Sequence, residues 1–75
     1  MNFETRPCSE LGKQIKTRLM NMNKTQLWLI NELKLRLPKA YIDGSLLYKI
    51  IVGDVTSGQT VDEIKKILNI EQKET

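Results

Sequence analysis

The sequence has no histidine, a single cysteine, and no apolar run that approaches the ~20 residues needed to span a bilayer. Because Cys8 has no partner in the chain, an intramolecular disulfide is excluded, and without histidine a zinc site of the usual ligand types is excluded in practice. The N-terminal segment, with Glu4 and no apolar core, does not resemble a signal peptide. We therefore expect a soluble cytoplasmic protein with no membrane segment, no metal and no other cofactor.

Groups that carry enzymatic chemistry are also scarce. The chain offers no histidine base, no glycine-rich phosphate loop, and no serine, cysteine or lysine beside a recognisable activator. Asp62 and Glu63 are adjacent, so they point in different directions around a helix, which disfavours a joint acid and base pair. A chain of 75 residues also buries too little surface for both a stable core and a deep catalytic cleft. The sequence predicts a binding protein with no small-molecule substrate, and not an enzyme.

Positive charge is concentrated in the first two-thirds of the chain. Residues 1–53 hold nine Lys or Arg against four Asp or Glu, whereas residues 54–75 hold three against five. Exposed charges are screened beyond about 8 to 10 Å, so this local excess matters more than the net charge of +3. An anionic partner such as DNA phosphate fits the distribution, and so do lysines scattered over solvated helix faces.

Apolar residues recur at helical spacing in four segments, which predicts an all-α domain. The first helix should run from about Ser9, its N-cap, to Asn21 or Met22. The second should begin after Thr25, also an N-cap, and end near Arg36, because Pro38 cannot continue a helix.

The third predicted helix is short, with Asp43 as its N-cap and Gly53 as the left-handed residue that ends it. The β-branched run over residues 50–52 would also suit a buried strand, but no other segment offers it a strand partner. Together, these patterns divide the chain into a lead-in over residues 1–8, a folded domain over residues 9–70 and a polar tail over residues 71–75.

A capping box of Thr60 and Glu63 is predicted to open the fourth helix. This helix should stop near Asn69, so that Ile70 folds back onto the core. The predicted core follows the single apolar stripe of each helix: Leu11, Ile15, Leu19, Leu29, Leu33, Leu47, Ile50, Ile64 and Leu68.

The order of these parts carries more information than any one of them. Leu11-Gly12-Lys13 opens the first helix, and Thr25-Gln26 opens the second. Leu29 and Leu33 lie on the inner face of the second helix, and the third contains Leu47, Ile50 and Gly53. Over residues 10–70 the chain thereby resembles the lambda-repressor-like (Cro-like, XRE) helix-turn-helix family. The resemblance implies a compact domain of four or five helices and a repressor-like transcriptional regulator that binds specific sequences of double-stranded DNA. So short a chain is typical of regulators from phages and mobile elements, and a homodimer on DNA is left open.

The resemblance also implies which residues meet DNA. The exposed face of a recognition helix in the major groove would be lined by Asp43, Gly44, Ser45, Tyr48 and Lys49. The last three can reach base edges, whereas Asp43 would serve as the cap. Gln26, at the start of the preceding helix, would contact a phosphate. The alternative role for these side chains is an ordinary solvated helix face.

The connection between the second and third helices is several residues longer than the tight turn of the family. Its apolar residues, Leu37, Tyr41 and Ile42, are expected to pack it down, while Arg36 and Lys39 face outward, available to DNA phosphate or to water. The long connection favours a second interpretation, a small protein-interaction module such as an antirepressor or an assembly factor. The scarcity of arginine, the commonest reader of guanine, favours it too.

Overall fold

The computed structural model describes residues 7–70, so most of the predicted lead-in and all of the polar tail lie outside the described residues. Within residues 7–70 all regular structure is helical, which confirms the all-α class. The four helices are α1 (Glu10–Met22), α2 (Gln26–Arg36), α3 (Gly44–Val52) and α4 (Gln59–Leu68). Residues 50–52, which would also have suited a strand, lie in the last turn of α3. No helix of this part of the chain is both long enough and apolar enough to cross a membrane.

Three helices begin at the side chains that the sequence predicted as N-caps. Each cap accepts a hydrogen bond from an amide in the first turn, a position where no intrahelical acceptor exists. The pairs are Gly12 N–H to Ser9 Oγ at 3.0 Å, Trp28 N–H to Thr25 Oγ1 at 3.0 Å, and Leu46 N–H to Asp43 Oδ1 at 2.9 Å. The predicted end of α3 is also confirmed, since Gly53 adopts the left-handed conformation with φ of 93°.

The capping box predicted at Thr60 and Glu63 is wrong. α4 begins earlier, at Gln59, and its N-cap is Gly58, whose φ of 119° favours glycine and which has no side chain with which to cap. Thr60 therefore lies inside the first turn. The Glu63 carboxylate instead pairs with the guanidinium of Arg36 at 3.2 Å, which joins α4 to α2.

Two threonine substitutions test this correction. Thr25→Ala should lower the free energy of unfolding by about 0.5 to 2 kcal/mol, because it removes the oxygen that accepts from the Trp28 amide. Thr60→Ala should stay within about 0.5 kcal/mol of the wild type, because the Thr60 side chain caps no helix. Urea denaturation followed by circular dichroism measures both values. Equal losses of unfolding free energy in the two variants would show that Thr60 does cap α4.

The core lies between the four helices and contains twelve buried apolar side chains among the described residues. Every predicted core residue is buried except Leu11, which is half-buried. Ile70 folds onto the core as predicted, while Ile51 and Val61 join it without having been predicted. The full set is Ile15, Leu19, Leu29, Leu33, Ile42, Leu47, Ile50, Ile51, Val61, Ile64, Leu68 and Ile70.

Gly12 brings the backbone of α1 directly against that of α3. A Cβ atom on residue 12 would lie 2.0 Å from the carbonyl oxygen of Ile51. The two atoms would overlap, so only glycine fits at this position. Ser9 connects the same two helices, since its backbone N–H and its hydroxyl both donate to the Ile51 carbonyl, at 2.9 and 3.0 Å. Carbonyls in the last turn of a helix have no intrahelical partner. Ser9 thus caps the start of α1 and also supplies donors at the end of α3.

Candidate nucleic-acid interface

The exposed face of α3 contains the residues that the sequence assigned to base contacts. Ser45 and Lys49 are exposed and Tyr48 is 49% exposed, while Leu47 and Ile50 are buried against the core. Residues three and four apart lie on one side of a helix, so Ser45, Tyr48 and Lys49 form a single face. The structure therefore brings these three side chains together at the surface.

The N-terminal end of α3 is open on its outer side. Asp43 is half-buried and acts as the cap of this helix, as predicted, so its carboxylate is already engaged by the Leu46 amide. Gly44 is exposed, and a Cβ built on it would have no atom within 4 Å. Packing within the described domain does not require glycine there, and a partner can approach the backbone at this end of the helix.

Gln26 lies exposed at the first position of α2. The first amides of a helix point outward from its N-terminus and favour an anion. Lys24, which sequence reasoning missed, adds positive charge nearby, with its ammonium 5.3 Å from the centre of the half-buried Trp28 ring. The spacing of Lys24 and Trp28, four residues apart, was the available signal for this cation–π contact.

The connector between α2 and α3, residues 37–43, differs from its prediction at one aromatic residue. Ile42 is buried and Leu37 half-buried, as expected, but Tyr41 is 81% exposed, so its predicted packing is wrong. The Ala40 amide donates to the Leu37 carbonyl at 3.0 Å and closes a turn. After this turn the chain directs Ile42 into the core, and the neighbouring side chain of Tyr41 lies in solvent. Lys39 is exposed, as predicted.

Arg36 is exposed, as the sequence suggested, but its guanidinium also pairs with carboxylates of the domain. Its Nη1 atom lies 3.2 Å from Glu63 Oε2 and its Nε atom 3.9 Å from Glu32 Oε1. Two carboxylates thus compensate one guanidinium, and its attraction for phosphate is reduced. Glu63 is 27 residues away in the chain, so no local pattern could have indicated this pair.

Arginine has a structural role in the described part of the chain. Besides Arg36, which pairs with α4, Arg18 donates from Nη2 to the Asn69 carbonyl at 3.1 Å, where α4 ends. The exposed positive charge is therefore carried mainly by lysines. Those classed as exposed are Lys13, Lys16, Lys24, Lys34, Lys39, Lys49 and Lys66. Residues 7–70 hold ten Lys or Arg against six Asp or Glu, so a positive excess remains.

Two further observations on residues 7–70 concern metal ions and small ligands. Among these residues, no group of three His, Cys, Asp or Glu side chains could hold a metal ion. A broad, open depression beside α4 is lined by Asp62, Lys65, Lys66, Asn69 and Ile70. Mixed charges around an open depression do not make the enclosed, mainly apolar site that small ligands require.

Comparison of the chain with family models, curated proteins and solved structures finds no match. Its function is therefore best inferred from its own residues, because a fold by itself does not determine function.

Proposed function

We propose that this chain is a sequence-specific DNA-binding domain of the lambda-repressor-like helix-turn-helix kind, and that it acts as a repressor-like transcriptional regulator. α3 is the recognition helix. The observation that carries the proposal is the exposed face of Ser45, Tyr48 and Lys49 on a helix whose opposite face is anchored in the core. A rigidly held helix with hydrogen-bonding groups on its outer face suits the major groove.

The dimensions and chemistry of α3 fit this role. The major groove is about 12 Å wide and admits an α-helix. The nine residues of α3 span about 13 Å, enough to reach a few successive base pairs. Lysine can donate to the acceptors of guanine, and serine and tyrosine hydroxyls can donate or accept. A solvated face would account for Ser45 and Lys49, but it accounts less well for a half-exposed tyrosine.

The surroundings of α3 supply contacts to the DNA backbone. Gln26 and the first amides of α2 suit one phosphate. The exposed Lys24, just before α2, and Lys39, just after it, add positive charge. Arg36 is left out of the proposed interface, because Glu32 and Glu63 already compensate its charge. Backbone contacts of this kind set the register, whereas α3 supplies the discrimination between sequences.

Retention of labelled genomic fragments, including the DNA around the chain's own gene, tests the proposal most directly. The purified domain should retain a small set of fragments at two salt concentrations, with weaker retention of all fragments at the higher one. Uniformly feeble retention with no preferred fragment would contradict it.

Substitutions on α3 and α2 should have different effects on DNA binding. Ser45→Ala and Tyr48→Ala should each reduce the difference between specific and non-specific binding free energy by about 1 to 3 kcal/mol, since each removes a contact to a base edge. Gln26→Ala should weaken binding to all sequences alike, because a phosphate contact carries no sequence information. Fluorescence anisotropy with the best fragment and with an unrelated duplex measures both effects.

The salt dependence of binding shows whether Lys49 contacts a phosphate or a base. If Lys49 contacts a phosphate, Lys49→Ala should lower the slope of log affinity against log salt by about 0.9 and leave the sequence preference unchanged; if it contacts a base, the preference should fall. Lys66→Ala is the matched control, because it removes the same exposed charge from α4, outside the proposed interface. If all four α3 and α2 variants fold and bind the best fragment as the wild type does, α3 is not the recognition helix.

Exposed leucines on α2 favour a second candidate, a protein-interaction module. Leu27 is 65% exposed and Leu35 is 76% exposed. They lie eight positions apart, about 12 Å along the helix, and could contribute to a surface for a partner protein or for a second copy of the chain. Single exposed leucines are common on ordinary protein surfaces, so this observation weighs less than the face of α3. Light scattering across a concentration series, with and without DNA, would reveal a homodimer.

A further inference from the structure

Tyr41 has the highest exposed fraction of any large hydrophobic side chain in residues 7–70, at 81%. Burial of an aromatic ring is ordinarily favourable, and a buried tyrosine hydroxyl ordinarily finds a partner. Within residues 7–70 the Tyr41 hydroxyl makes no hydrogen bond, and its ring is not part of the core. Neither packing nor hydrogen bonding in the described domain accounts for a tyrosine at this position.

The backbone of Tyr41 is nevertheless held on both sides. The turn closed by the Ala40 amide and the Leu37 carbonyl precedes it, and the buried Ile42 follows it. Asp43, the cap of α3, comes next, so Tyr41 stands two residues before the cap of the proposed recognition helix. A tyrosine that is exposed on a fixed backbone can make a contact at low conformational cost, because only two side-chain torsions become ordered.

The chemistry next to Tyr41 suits the DNA backbone. Lys39 is exposed on the same connector, two residues earlier. Tyrosine hydroxyls and lysine ammonium groups both donate to phosphate oxygens in protein–DNA complexes. The nearest carboxylate along the chain is that of Asp43, which accepts from the Leu46 amide and helps to hold α3 in place.

We propose that Tyr41 donates a hydrogen bond from its hydroxyl to a DNA phosphate at the edge of the groove that α3 enters, with Lys39 pairing with a nearby phosphate. This inference rests on the proposed function, and it assigns a purpose to the extra length of the connector. The connector then forms a second contact with the DNA backbone, next to the N-terminal end of the reading helix. Such a contact fixes the position of α3 in the groove without reading the sequence itself.

Tyr41→Phe tests the proposal, because it removes the hydroxyl alone. Affinity for the best genomic fragment and for an unrelated duplex should fall by the same factor, about tenfold, as expected for a hydrogen bond to a charged group. The melting temperature should not change, since the side chain is exposed. The salt slope should also stay constant, because tyrosine carries no charge, whereas Lys39→Ala should lower it by about 0.9.

Met20→Ala is the matched control, since Met20 on α1 is 71% exposed and lies outside the proposed contacts. It should bind both duplexes as the wild type does. If the wild type retains a preferred fragment and Tyr41→Phe binds as tightly, the inference is wrong and the proposed function stands. If Tyr41→Phe weakens only the preferred fragment, Tyr41 reads a base and the phosphate contact is wrong. A wild type without a preferred fragment overturns the proposed function together with this inference.

Discussion

Gly12→Ala is expected to lower the free energy of unfolding by about 3 kcal/mol, at the upper end of the usual cost of overpacking. The added Cβ would lie 2.0 Å from the Ile51 carbonyl oxygen and 2.8 Å from its carbon, which are backbone atoms and cannot rotate away. α1 would have to move off α3, and the two hydrogen bonds from Ser9 to the same carbonyl would be strained or broken. Urea denaturation followed by circular dichroism measures the loss.

Gly44→Ala is the matched control for this substitution. Gly44 is also helical, but a Cβ there would meet no atom within 4 Å. The Gly44→Ala variant should therefore be as stable as the wild type or slightly more stable, because alanine loses less backbone entropy on folding than glycine does. If Gly12→Ala were equally stable, the backbones of α1 and α3 would have to be farther apart than the structure places them.

Leu33→Ala is expected to cost about 2 to 5 kcal/mol, the range for truncating a buried leucine. Leu33 is buried in the core, on the inner face of α2. In a domain of this size each kcal/mol corresponds to roughly 4 to 8 °C in melting temperature, so thermal unfolding should show a drop of about 10 °C or more. Leu35→Ala, on the exposed side of the same helix, should leave the melting temperature nearly unchanged. If Leu33→Ala melted at the wild-type temperature, Leu33 would not be part of the core.

The beginnings of three helices could be predicted from the sequence because the interactions that define them are local. Ser9, Thr25 and Asp43 each accept from an amide three residues later, so the residue type and the following apolar stripe suffice to place them. Gly53 is equally local, since a helix that ends in the left-handed conformation prefers glycine. The exposed face of α3 could be predicted in the same way. Residues three or four positions apart lie on the same side of a helix, so the buried residues leave Ser45, Tyr48 and Lys49 exposed to solvent.

The predictions that failed at Thr60 and Tyr41 concern the start of α4 and the path of the connector. The spacing of Thr60 and Glu63 matched a capping box, but Glu63 pairs with Arg36, 27 residues earlier. That pair also offsets part of the charge of the exposed Arg36. Tyr41 was predicted to pack because its side chain is largely apolar. Its exposure is instead set by the turn that precedes it and by the burial of its neighbour Ile42. Periodicity gives the faces of helices, whereas it does not give the path of a connector.

The contact between Ser9 and Ile51 joins residues 42 positions apart, so the start of α1 and the end of α3 close a loop that contains α2 and the connector. Closing a loop of this length costs chain entropy before the contact is made, and such long-range contacts tend to form late in folding. The closed loop helps to hold α3 against α1, together with the buried side chains of α3. Under the proposed function, a partly unfolded chain would contain the helix without a rigidly held reading face, and discrimination between DNA sequences should appear together with the completed fold.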